Sequence, residues 1–181
     1  MTIKLPTSTK DIKLYQAIKF FEVSANENLS DITKQITCVN IITGVSVAKL
    51  AKVQKKQISE IYLKLYALME TEPKELNENV ITIDGHKYGF IPDINAITLG
   101  EFSDIDTLSS DGFSAFNKML AVLYRPLVLQ TGELYTITDY HNEDEKVKQQ
   151  REVTFLKAMD YYTAQSAIWF FFLSAKKLLK F

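Results

Sequence analysis

The spacing of apolar residues divides the chain into a helical first part and a more mixed second part. Leu14, Ala17, Ile18, Phe20 and Phe21 recur at helical spacing. Ser8 or Thr9 caps the helix they form, and Asp11 suits its positive first turn. Thr2 to Leu5 reads as a short strand ahead of it. A second helix follows Ser30, with Ile32, Ile36, Val39 and Ile42 on one face, and Gly44 stops it. Ser46 caps a short turn from Val47 to Val53. Ile58, Ile61, Leu65, Leu68 and Met69 then mark a third helix of about 15 residues.

The pattern changes at Thr71-Glu72-Pro73. Val80 to Phe90 holds two short β-rich runs around Asp84-Gly85, a dipeptide that tolerates the positive φ of a type I′ turn, and a hairpin is expected there. Asp111 is placed to cap a helix from Phe113 to Leu123, which Pro126 ends. Leu127 to Leu129 and Leu134 to Ile137, joined across Thr131-Gly132-Glu133, read as a second hairpin. Glu143 to Phe181 reads as one long helix or two shorter ones. The expected fold is α+β and mainly helical: a helical bundle over residues 1–72, then hairpins and C-terminal helices over 73–181, packed as one unit.

Composition narrows the function more than it identifies it. At 181 residues, 46% hydrophobic and 24% charged, the chain has the makings of one folded domain. Its 21 basic and 22 acidic residues nearly cancel, and Arg125 and Arg151 are the only arginines, so no specific nucleic-acid site is expected. Charge is unevenly placed. Residues 1–66 carry +5, residues 67–145 carry −11 and residues 146–181 carry +5. Such blocks attract copies of the chain head to tail, or they are simply solvated faces.

Candidate chemistry is sparse. Cys38 is the only cysteine, which excludes an intramolecular disulfide and any multi-cysteine zinc site. It falls on a buried helix face, where a thiol acts as a small hydrophobe. His86 and His141 match no metal or triad spacing, and a catalytic role needs a pocket where one of them meets an acid. Glu101, Asp104 and Asp106 lack the turn glycine and closing glutamate of a calcium loop and read as a short acidic turn or a helix start. Glu143-Asp144-Glu145 reads as a helix start, ahead of Lys146 and Lys148. No cofactor or metal is expected. Met1 to Lys13 lacks the apolar core of a signal peptide, and the longest apolar run, Ala167 to Leu173, covers about a third of a membrane span. The chain is therefore expected to be made in a reducing cytoplasm, with no membrane span.

The C-terminal helix is the exception to this plainness. From Ala164 to Leu173 its apolar residues occupy every face, so the helix must be surrounded. Either it is central to the domain, or Trp169, Phe170, Phe171 and Phe172 meet another subunit, since large aromatics anchor interfaces. Lys176, Lys177 and Lys180 return its end to water.

Three passages carry a resemblance. Ile12-Lys13-Leu14-Tyr15-Gln16 leads through Ile41-Ile42-Thr43-Gly44-Val45 to Leu50 and Ile61-Tyr62. Tyr88-Gly89-Phe90-Ile91-Pro92-Asp93 precedes Ile97 to Ile105. Met119 to Leu123, with Tyr124-Arg125-Pro126, precedes Tyr135 to Tyr140. In this order they resemble small morphogenesis proteins of tailed bacteriophages, particularly crAss-like and related phages of Bacteroidota, over about residues 10–175. The Tyr124-Arg125-Pro126 segment is the most distinctive. It reads as an architectural joint, with Pro126 forbidding further helix and Arg125 tying down terminal carbonyls. The resemblance implies a non-enzymatic virion protein that forms or joins a homo-oligomeric ring at the neck or tail, in the head–tail connector region, beside other neck and tail proteins. It implies equally a tail-assembly chaperone, made in the host bacterial cytoplasm and absent from the mature particle.

Overall fold

The computed structural model describes residues 3–178. Among them lie eight α-helices and one four-stranded antiparallel sheet, an α+β fold dominated by helix. In the first part, α1 (Leu14–Ala25), α2 (Asp31–Thr43), α3 (Val47–Leu50) and α4 (Lys55–Met69) follow the predicted pattern closely. Ser30 Oγ accepts from Thr33 N–H at the start of α2, and Gly44 ends it at φ 70°. Ser46 takes the N-cap position of α3, although its hydroxyl makes no capping bond. Leu14, Ala17, Ile18 and Phe20 of α1 face Cys38 and Val39 of α2 and Ile58, Leu65 and Met69 of α4 in a shared core.

The entry to α1 differs from expectation. Ser8 caps a separate 3-10 turn, Thr9–Asp11, and Asp11 returns the bond by accepting from the N–H groups of Thr7 and Ser8 at 3.0 and 3.2 Å. Residues 3–5 form no strand, and Thr2 lies outside the described residues. Ile3 and Leu5 instead lay their side chains against the core.

The second part is a meander interrupted by helices. Strands β1 (Val80–Ile83) and β2 (His86–Phe90) form the predicted hairpin, with Asp84 at φ 50° and Gly85 at φ 79° in the two-residue turn. Helices α5 (Leu99–Ser109) and α6 (Phe116–Leu123) intervene before β3 (Tyr124–Thr131), which pairs with β2, and β4 (Leu134–Ile137) closes the order β1-β2-β3-β4. The helix expected from Phe113 starts later. Gly112–Ala115 is a 3-10 turn and the Asp111 side chain makes no capping bond, so α6 begins at Phe116.

Helix α6 is the element surrounded on every side. Its residues Met119, Leu120, Ala121, Val122 and Leu123 are all buried, between α5, α7 (Glu145–Ala158) and α8 (Tyr161–Leu178). The C-terminal segment is two helices because the chain is held extended at Met159 and Asp160. There Leu14 N–H donates to Met159 O at 2.9 Å and Tyr161 N–H to Ile12 O at 2.8 Å. Asp160 then caps α8, accepting from Thr163 N–H at 2.9 Å and its hydroxyl at 2.8 Å. This exchange ties the first helix to the last two, and one continuous core runs across both parts of the chain. Residues 179–181, including Lys180, and the side chain of Lys177 lie outside the described set. No helix of the described residues is long and apolar enough to cross a membrane.

The sheet curls back on itself at a bulge between Leu127 and Leu129. This brings Tyr135 over β2, where its hydroxyl donates to Phe90 O at 2.8 Å. A side chain at Gly89 would put its Cβ 2.6 Å from the Tyr135 ring and 2.7 Å from Ile137 Cγ2. Gly89→Ala is therefore expected to cost about 1–3 kcal/mol through overpacking. Urea denaturation should show a lower midpoint at an unchanged slope.

Candidate functional site

The buried ion pairs among the described residues converge on the end of α6. The helix stops at Leu123, and Tyr124 is already in strand geometry, φ −108° and ψ 118°, with no intervening loop. Tyr124 is buried, and its hydroxyl donates to Glu78 O at 2.5 Å. Burial pushes the phenol far above its ordinary range, so it remains a neutral donor. Pro126 lies in β3, opposite Tyr88, where its missing N–H is tolerated near the strand start, and its carbonyl accepts from Thr138 N–H at 3.0 Å.

Arg125 does not tie down the helix carbonyls. Its guanidinium pairs with Glu101 at 2.7 Å, with both side chains buried. Glu101 is in the first turn of α5, and its other oxygen accepts from the N–H and hydroxyl of Thr98, the helix cap, at 2.7 and 2.8 Å. Burial pulls the Arg125 pKa down, and Glu101 and Glu143 oppose that pull. The carbonyl at the end of α6 belongs instead to Arg151 of α7. Its Nε and Nη2 donate to Ala121 O at 3.2 and 2.8 Å, and Nη2 also donates to Glu143 at 2.6 Å. Glu143 was expected in the first turn of a helix; it lies instead just ahead of the Asp144 cap of α7, with its side chain only 6% exposed and that of Arg151 2%.

A third group closes the cluster toward solvent. The Tyr140 hydroxyl donates to Asp104, and Lys148 donates to Tyr140 at 3.2 Å. Tyr140 also offers its ring to Arg125 and Lys148, 5.8 and 5.1 Å from its centroid. Burial and the Asp104 carboxylate push the Tyr140 hydroxyl up. Next to it, His141 packs on Gly100, where a Cβ would stand 2.9 Å from the ring. The chain's two arginines thus fasten three segments, α5, β3 and the loop before α7, around one helix end. This arrangement fixes position and leaves Arg125 Nε as a buried donor without a partner.

Other candidate groups lie elsewhere. Cys38 is buried beside Ser24, and burial pushes its thiol up. His86 is exposed at the start of β2 and lines an open groove of about 550 Å³ with Asp84, Tyr88, Pro126 and α7. Among the described residues, no group of three or more His, Cys, Asp or Glu side chains is placed to hold a metal ion.

The four candidate interface aromatics of α8 separate onto different faces. Phe171 is 2% exposed, packed near Phe102 in the chain's own core, so it is not available to another subunit. Phe170 is half-buried, edge-on to Phe90 at 5.8 Å. Trp169 is half-buried and Phe172 is 39% exposed; with Leu173 and Lys176 they follow i, i+3, i+4, i+7 spacing along the outer face. Two further apolar surfaces escape the periodicity analysis. The β3–β4 hairpin exposes Val128, Leu129 and Leu134, the last at 80%, and Leu99 at the start of α5 is 84% exposed. The uninterrupted run Leu127-Val128-Leu129 was the available signal, since a strand with polar residues on one face alternates. A groove of about 630 Å³ also opens between α1, α4 and the Gly112–Ala115 turn, lined by Phe21, Tyr62, Leu63, Tyr66 and Phe113.

Arg151→Met should destabilise the fold by about 3–5 kcal/mol, because it strands the Glu143 carboxylate and the Ala121 carbonyl away from water. Adding Glu143→Leu should recover most of that loss. A double-mutant cycle from chemical denaturation measures the coupling; additive losses would mean the pair does not act as a unit.

Comparison with known protein families, curated proteins and solved structures returned no match to this chain. Its function is therefore to be read from its own surfaces.

Proposed function

We propose that this chain is a non-enzymatic structural subunit of a bacteriophage particle, forming or joining a ring at the neck or tail. The observation that carries the reading is the apolar surface the fold leaves without a partner. Leu134 and Phe170 line a groove with Ile94, and Ile94 lines the next groove with Leu99 and Phe102. Val128 and Leu129 extend this surface along the hairpin, and Phe172 and Leu173 add a stripe on α8. A soluble monomer rarely exposes so many large apolar residues side by side, whereas a subunit covers them on assembly. The phage setting and the neck or tail location come from the resemblance of the three sequence passages. The opposed charge blocks support association of like copies.

A tail-assembly chaperone is the second reading, favoured by one observation. The open groove of aromatic side chains over α1 and α4 has the chemistry to hold an apolar segment of another protein.

Quantitative mass spectrometry of purified particles from the source phage separates the two. A structural subunit is expected at a fixed copy number relative to the portal protein. Abundance in infected cells together with absence from clean particles would overturn the structural reading in favour of the chaperone.

A further inference from the structure

Two of the unpartnered surfaces are complementary and lie at opposite ends of one helix. The first is the outer stripe of α8, Trp169, Phe172 and Leu173, followed by the exposed Lys176. The second is the groove over α1 and α4. Its apolar lining is mainly aromatic, with Leu63 and Ala25 beside the rings; Glu22 and Asp111 also line it, and no lysine or arginine does. The groove sits beside the first residue of α8, since Phe21 stands 6.3 Å from Tyr161 and stacks on Phe113 at 4.3 Å. Phe172 and Lys176 are 11 and 15 residues further along α8, about 16 and 22 Å at the helical rise. This length of helix keeps the stripe from reaching the groove of its own chain.

We infer that the outer stripe of α8 docks into the α1–α4 groove of a second copy. This contact rests on the structural-subunit reading and names the surfaces through which that subunit would assemble. Apolar and aromatic side chains meet an aromatic trough, and Lys176 meets the acidic rim, so both the apolar and the charged parts of the patches match. A self-pairing of two stripes would give Lys176 no acid to meet, since α8 carries none. Because stripe and groove are different surfaces, the contact is heterologous and repeats from copy to copy.

The test uses the full chain and two variants at exposed positions, Phe172→Asp on the stripe and Leu63→Asp in the groove. Leu63 is 63% exposed, so neither change is expected to disturb the core. Circular dichroism and thermal melting check this, and Phe172→Ser with Leu63→Ser provides a milder pair. In sedimentation velocity the unaltered chain should form oligomers, and each variant alone should dissociate at concentrations at least about tenfold higher. The two variants mixed should form dimers and nothing larger, because one intact stripe and one intact groove remain. Lys176→Glu should weaken assembly, and copies carrying Glu22→Lys and Asp111→Lys should restore it in the mixture.

Oligomers that survive either variant, or a mixture that stays monomeric, overturn this contact and leave the structural reading standing. Dimers of the Leu63→Asp variant alone would replace it with a stripe-to-stripe contact. An unaltered chain that is monomeric throughout overturns both the contact and the self-assembling subunit, and returns the groove to a foreign client.

Discussion

The carbonyl of Ala121 sets a constraint that much of the fold answers. The last turns of helix α6, Met119 to Leu123, are buried on all sides, and its Ala121 carbonyl has no intrahelical partner. The usual remedy, a glycine in left-handed geometry, is closed here because the chain must run directly into β3 at Tyr124. Arg151 meets the need from α7, donating twice to that oxygen. A buried guanidinium needs a counter-charge, so Glu143 is drawn in and the loop before α7 is fixed with it. The same logic repeats one turn further on, where Arg125 draws in Glu101 and with it the start of α5. Two ion pairs therefore place three segments, and each is worth more as a fastener than as a net source of stability.

This economy explains where the apolar surplus goes. With α6 at the centre, α8 cannot be, and only one of its faces finds partners. Ala164, Ala167, Ile168, Phe171 and Ala175 pack inward, while the outer face still carries aromatic and aliphatic side chains. The alternation of small and large residues on the inner face lets α8 lie close, with Phe171 filling the space near Phe102. Phe172 touches Phe171 edge-on within the chain, yet it and Leu173 stay far more exposed than the residues of the inner face. In the proposed assembly, contact with a second copy would account for their apolar character, which connects the packing of α8 to that proposal.

The elements with local signals were legible in the sequence, and those that depend on distant partners were not. Ser30, Gly44 and Asp84-Gly85 act within a few residues of themselves, so α2 and the first hairpin could be placed from residue type alone. The long stretch from Glu143 was ambiguous because its break at Met159 and Asp160 is imposed by hydrogen bonds to Ile12 and Leu14, nearly the whole chain away. A local trace was present in Asp160 three residues before Thr163, a capping arrangement in the middle of the stretch. The joint at Tyr124-Arg125-Pro126 marked a real change from helix to strand. The partner of each arginine was hidden, because residue type does not tell a buried carboxylate from a solvated one. Glu101 and Glu143 both looked like ordinary first-turn acids, and one of them is that and a buried ion-pair partner as well.

The division of labour along α8 bears on what kind of assembly is physically available. A heterologous contact repeats until the rotation it imposes closes into a ring, or else continues as a filament. Which of these occurs depends on that rotation and on any rise along its axis, and how uniform the product is depends on how rigidly the two contact surfaces are held within one copy. Here both are mounted on a single packed core. The start of α8 is fastened to Ile12 through the backbone, its inner face is buried along its length, and the groove is built on α1 and α4 around Phe20 and Phe21. Both patches belong to one continuous core, so in the proposed contact each added copy would turn by the same angle. A flexible tether between the same two patches would give mixed products, whereas a fixed angle gives one uniform assembly, the property the proposed ring component would need.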